Sequence, residues 1–226
     1  RRGIQKAPEA GEELGAALAG GEINMGNGHE LAIGCPGRSI EGGPADAGAV
    51  LLAFNLATDP LAGELILSGE GVFPEPESGD RYGDALTAGD YNGDGRDELT
   101  VGIPGRGSGA LDLVGALAIY DFDDTQSQFW LQSHLDPESA EEGDEFAATL
   151  LAADFTGDGL ADLAIGVPRE DLPGLTNAGL VHVVRGSAGV GLTNLRDQIW
   201  TQLPNPPEEE DRFGAALAAG RFAGHS

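Results

Sequence analysis

One short pattern occurs four times along the chain: LGAALAGG from Leu14, YGDALTAGD from Tyr82, FAATLLAAD from Phe146 and FGAALAAG from Phe213. The starts are about 66 residues apart, and each of the first three is followed at a constant distance by a second element: ELAIGCP (Glu30 to Pro36), ELTVGIP (Glu98 to Pro104) and DLAIGVP (Asp162 to Pro168). A chain repeating at such a length makes the same supersecondary unit several times and stacks the copies, because one copy alone cannot bury its apolar face.

Two further elements recur in each unit. GAVLLAF from Gly48, GALAIY from Gly115 and GLVHVV from Gly179 start at a glycine and continue apolar, and ELILS around Ile66, QFWLQ around Trp130 and QIWTQ around Trp200 follow them. All read as short strands separated by Gly, Pro, Asn and Asp turns. FGAALAAG favours helix by propensity, but Phe213, Ala215, Leu217 and Ala219 alternate, which predicts a strand. Four strands per repeat predict an all-β fold, a β-propeller of four-stranded blades. The units run 14–81, 82–145 and 146–212, with a truncated fourth at 213–226. Propellers close with about 4–8 blades, so residues 1–226 hold a partial ring of three to three and a half blades. Such a chain is expected to be a fragment of a longer propeller or to complete its ring by self-association.

The loops between the first and second strands carry the chemistry. In the second unit, positions 1, 3, 5 and 9 are Asp90, Asn92, Asp94 and Glu98, with Gly95 at position 6 and the backbone carbonyl of Arg96 at position 7. The third unit repeats this with Asp154, Thr156, Asp158 and Asp162, Gly159 at the turn and the Leu160 carbonyl at position 7. Ca²⁺ takes about 6–8 oxygen ligands, and alternate residues of a tight loop can supply them. A strand follows each loop, unlike the helix that follows an EF-hand loop. Two calcium sites are expected, and a third is open in the first unit. There Glu22, Asn24, Gly26, Asn27, Gly28 and Glu30 occupy positions 1, 3, 5, 6, 7 and 9, without the central carboxylate. In the fourth unit Arg221, Ala223 and His225 stand at positions 1, 3 and 5, and a basic residue at position 1 opposes a cation. The bland alternative throughout is a metal-free Asp-Gly turn.

Composition narrows the partners. With 38 acidic and 12 basic side chains the net charge is −26, which argues against nucleic acid and anionic membranes. The longest apolar run, Ala47 to Phe54, is too short for a membrane span, and RRGIQKAPEA has no hydrophobic stretch of a signal peptide, so an export signal is expected upstream. The single cysteine, Cys35, excludes an internal disulfide and a thiolate-clustered zinc site. It stands where other units have Ile103 and Val167, and is expected to be a small buried hydrophobe.

The residues Phe213-Gly214, Asp90-x-Asn92-x-Asp94-Gly95 with Glu98, Asp154-x-Thr156-x-Asp158-Gly159 with Asp162, and the Gly-x-Pro triplets at Gly34, Gly102 and Gly166 resemble the FG-GAP repeats of integrin α-subunits and bacterial surface proteins. The resemblance covers the chain from about Leu14 onward. It implies a seven-bladed propeller with calcium on the face away from the ligand-binding loops, acting at the cell surface or outside the cell in adhesion or recognition of a protein or glycan. Tyr82 in place of Phe, Ala147 after Phe146, Glu98 in place of Asp and Thr156 in place of Asn or Asp depart from the pattern.

A noncatalytic interaction module is the expected function, with an accessory domain of a larger secreted hydrolase or phospholipase-like enzyme as the alternative. No Gly-x-Ser-x-Gly elbow is present, Lys6 is the only lysine, and His29, His134, His182 and His225 fall at four different repeat positions. His182, between Val181 and Val183, reads as a packed histidine. Trp130 and Trp200, at one repeat position, are expected in the core. The acidic runs Glu138 to Glu145 and Glu208 to Asp211 are expected as solvated loops between blades.

Overall fold

The computed structural model describes residues 11–23, 28–54, 63–67, 74–107, 111–122, 127–135, 140–202 and 206–220. These residues form three antiparallel four-stranded sheets, each made of strands consecutive in sequence. Blade 1 comprises β1 (Leu18–Gly21), β2 (Glu30–Cys35), β3 (Ala49–Ala53) and β4 (Gly63–Leu67). Blade 2 comprises β5 (Leu86–Gly89), β6 (Glu98–Ile103), β7 (Ala116–Tyr120) and β8 (Gln128–Leu131), followed by a 3₁₀ turn at Gln132–His134. Blade 3 comprises β9 (Thr149–Ala153), β10 (Asp162–Val167), β11 (Leu180–Ser187) and β12 (Gly191–Trp200). The first strands β1, β5 and β9 lie side by side, so the blades fan out around them as in a propeller.

The core lies between blades. One cluster joins blades 1 and 2 through Val50, Leu52, Tyr82, Leu99 and Val101. A second joins blades 2 and 3 through Tyr91, Leu117, Trp130, Phe146, Leu163 and Ile165. Strands β6 and β10 are buried along their whole length, so the alternation of Leu99 and Val101, or of Leu163 and Ile165, reflects strand geometry with neither face left to solvent.

The aromatic that starts each unit is a hook into the preceding blade. Tyr82, Phe146 and Phe213 donate their N–H to Ala47, Val114 and Ala178 respectively, and Tyr82 and Phe146 are fully buried. The backbone of each hook touches the glycine that opens the third strand of the preceding blade. A Cβ added at Gly115 would meet the Phe146 carbonyl oxygen at 2.3 Å, and Gly115 has φ +89°. Equivalent contacts hold at Gly48 and Gly179. Only glycine satisfies both the left-handed backbone and the close approach.

Three expectations are corrected. FGAALAAG at 213–220 forms a turn without a strand, because the strand at this position in earlier units pairs with the Gly-x-Pro strand of its own unit, and the fourth unit has none in this sequence. Trp130 is 9% exposed, but Trp200 at the equivalent register is 54% exposed, since blade 3 covers the first and no described residue covers the second. Asp144, in an acidic run expected to be solvated, is 2% exposed. Its carboxylate accepts the Glu141 N–H at 2.6 Å, and burial pushes its pKa up to about 6. Cys35 and His182 are both buried, and His182 Nδ1 lies 3.0 Å from Asp197 Oδ2 across β11 and β12.

Candidate metal centre

The blade 2 loop joins β5 to β6, with its last ligand position on the first residue of β6. Asp and Asn fold it locally by turning their side chains onto their own backbone. Asp90 Oδ1 accepts the Gly93 N–H at 2.6 Å and Oδ2 accepts the Gly95 N–H at 2.9 Å. Asn92 Oδ1 accepts the Asp94 N–H, and Asp94 Oδ1 accepts the Arg96 N–H. Gly93 and Gly95 have φ +78° and +91°, which completes the tight turn.

Among the described residues, Asp90, Asp94 and Glu98 form one group in which a carboxylate oxygen from each lies within 4.8 Å of the others. Asp94 is exposed, Asp90 is half-buried and Glu98 is buried at 4% exposure. Glu98 Oε2 accepts the Tyr91 N–H at 2.8 Å, and Oε1 accepts the Asn92 side-chain amide at 2.8 Å. Burial raises the Glu98 pKa to about 8; the Tyr91 hydrogen bond opposes the rise, and Asp121, Asp90 and Asp94 add to it by like-charge repulsion. A cation among these oxygens would reverse that balance. The donors are all hard oxygens with unused lone pairs, which fit Ca²⁺ and do not fit a soft metal.

The blade 3 loop, from β9 to β10, is wound the same way. Asp154 Oδ1 accepts from Gly157 and Asp158, Asp154 Oδ2 accepts from Gly159, and Asp158 Oδ1 accepts from Leu160. Asp162 is shorter than Glu98 by a methylene and is fully buried. Its Oδ2 takes the N–H groups of Phe155 and Thr156, and its Oδ1 takes that of Gly186. Asp154, Asp158 and Asp162 do not converge within the same 4.8 Å limit. In blade 1, Glu30 is buried and accepts the Ile23 N–H at 2.9 Å, while Glu22 and Gly28 are exposed. Asn24 and Asn27 lie outside the described residues, as do Arg221, Ala223 and His225.

Sequence reasoning assigned position 9 as a ligand and missed its second role. In all three blades that carboxylate accepts the backbone N–H of position 2, from Ile23, Tyr91 or Phe155. The signal was present in the sequence, since an acid stands at position 9 of the first unit even though its central carboxylate is lacking.

The family model for the FG-GAP repeat matches residues 82–120 and 146–184, each taking in one loop and its flanking strands. Phosphatidylinositol-glycan-specific phospholipase D of Rattus norvegicus is 31% identical over 157 residues, 69% of this chain, and the human protein gives the same figures. Integrin alpha-PS2 of Drosophila melanogaster is 27% identical over 148 residues, 63% of this chain. The match spans 18% of the phospholipase and 10% of the integrin subunit. No described helix is long and apolar enough to cross a membrane.

Proposed function

We propose, for a chain that belongs to the FG-GAP repeat family, that it is a calcium-stabilised, noncatalytic propeller module presenting loops to a protein or glycan partner outside the cell. The observation that carries this reading is the convergence of Asp90, Asp94 and Glu98 at the end of a fully buried strand. Asp90, Asn92, Asp94, the Arg96 carbonyl and Glu98 would hold the blade 2 ion; Asp154, Thr156, Asp158, the Leu160 carbonyl and Asp162 would hold that of blade 3. Bound calcium supplies the positive charge that removes carboxylate repulsion and fixes the hairpins, leaving the loops at the opposite ends of the strands free to vary.

The test is calorimetric titration of the full chain with Ca²⁺ and Mg²⁺. Saturable Ca²⁺ binding lost on combining Asp90→Ala with Asp154→Ala supports the reading. Heat that is unchanged by both substitutions overturns it. A second reading, an accessory propeller of a larger secreted enzyme, is favoured by the 31% identity to a phospholipase D. It keeps the same calcium loops and places catalysis outside residues 1–226; hydrolase motifs in the adjoining coding sequence would decide for it.

A further inference from the structure

The loops are joined to one another across the blade junctions by a repeated backbone bond. Ala161 N–H donates to the Asp90 carbonyl at 2.9 Å, and Asp97 N–H donates to the Glu22 carbonyl at 2.9 Å. In both cases position 8 of one loop bonds position 1 of the loop before it. A trans peptide holds its N–H and C=O in opposite directions within one plane. The Ala161 N–H shares its peptide with the Leu160 carbonyl, so aiming the N–H at the Asp90 carbonyl of blade 2 turns the Leu160 carbonyl the opposite way, away from blade 2. At its other end, the Asp90 carbonyl shares its peptide with the Tyr91 N–H, which donates to Glu98.

A path therefore runs from the Glu98 carboxylate, through the Asp90–Tyr91 peptide and one inter-blade hydrogen bond, to the Leu160 carbonyl. Both termini belong to proposed ligand sets. The same path recurs one junction earlier, from Glu30 through the Glu22–Ile23 peptide to Asp97 N–H and the Arg96 carbonyl. The blade 2 loop is further clamped from blade 3, because Ser187 and Gly189 donate their N–H groups to the carbonyls of Tyr91 and Asn92 at 2.9 and 2.7 Å.

We infer that the loops of blades 2 and 3 bind cations with positive coupling, transmitted through the Ala161 to Asp90 hydrogen bond; this rests on the calcium reading above. A cation that fixes Glu98 fixes the Asp90–Tyr91 peptide, which holds the acceptor for Ala161 and so presents the Leu160 carbonyl to the next site. The second ion then binds a loop already ordered, at a lower entropic cost. Repulsion between the two ions acts in the opposite sense and is screened by solvent on the exposed side of the loops.

The experiment is Ca²⁺ calorimetry on the full chain and on Asp94→Asn and Asp158→Asn, each of which weakens one loop while keeping the side-chain oxygen that accepts the Arg96 or Leu160 N–H. The coupling factor is the product of the two wild-type binding constants divided by the product of the constants for the surviving loop in each variant. The expected factor is about 5 or more, falling to about 1 in Ala161→Pro, which deletes the donor N–H. A factor of about 1 in wild type overturns the coupling while leaving two calcium sites intact. Absence of Ca²⁺ binding in wild type overturns the calcium reading itself. Circular dichroism in chelator checks the fold of Ala161→Pro, and the two asparagine variants decide the question if that variant is unfolded.

Discussion

In the blade 2 loop the residue after the first aspartate is Tyr91, fully buried and hydrogen-bonded through its hydroxyl to Thr100 at 2.9 Å; in the blade 3 loop it is Phe155, 43% exposed. Asp90 is half-buried, but Asp154 and Thr156 are exposed. Both loops have the same winding, the same glycines and an acid at position 9. What differs is cover: blade 3 lies over the first loop and donates Ala161, Ser187 and Gly189 amides to it, whereas no described residue does this for the second. A shared motif thus yields one loop inside an interface and one on an open face, and only the first gathers its three carboxylates. The difference at position 9, Glu against Asp, adds to this, because the longer side chain reaches the group while the shorter Asp162 carboxylate is held back against the backbone amides of Phe155, Thr156 and Gly186.

The largest expected effect comes from truncating the two equivalent aromatics. Tyr91→Ala removes a buried ring and should lower stability by roughly 3–5 kcal/mol, and Phe155→Ala should stay within about 0.5 kcal/mol. Urea unfolding midpoints in chelator measure both, and equal losses would break the comparison. Next comes calcium. One site held at a hundredfold excess over its Kd stabilises the fold by about 2.7 kcal/mol, and Glu98→Gln should remove the blade 2 share of the calcium-induced rise in Tm.

A pH series in chelator sharpens the same contrast. The folded pKa of Glu98, about 8, lies above its ordinary 4.5, so the folded state holds this proton more tightly. The group's contribution is fully present below pH 4.5 and is lost as pH rises through 8. Asp144, at about 6 against 3.8, acts in the same direction over a lower window. Stability without calcium should therefore fall from about pH 5 to 8, and Glu98→Gln should flatten the upper part of that fall. Calcium affinity in blade 2 should rise across the same interval as the proton leaves.

The smallest effect concerns the turn that opens each unit. Gly83 in blade 2 has φ +91°, and Ala147 at the same place in blade 3 has φ +66°. A left-handed alanine costs about 1 kcal/mol relative to glycine, so Ala147→Gly should raise the thermal midpoint by a few degrees. An unchanged or lower midpoint would show that the Ala147 methyl contributes packing that outweighs the strain.

Much of this was legible in the sequence because it is written in local chemistry. Strand periodicity, turn glycines and the spacing of Asp90, Asn92, Asp94 and Glu98 depend on residues within a few positions of one another, and the repeat multiplies each signal. The Gly115 contact with Phe146 is legible as a repeat but gains its reason only from the approach of a backbone 31 residues away. The burial of Asp144 and the exposure of Trp200 were not legible, since both depend on what the folded chain packs over each residue.

The sequence by itself determined the blade, its four strands and the loops rich in oxygen donors, because backbone preference and ligand type are properties of short segments. The tertiary structure decided which carboxylates converge, which loop is clamped, and how one loop's peptide reaches the next. Those follow from the stacking of neighbouring blades, and a packing contact joins residues whose identities say nothing about their distance until the chain has folded.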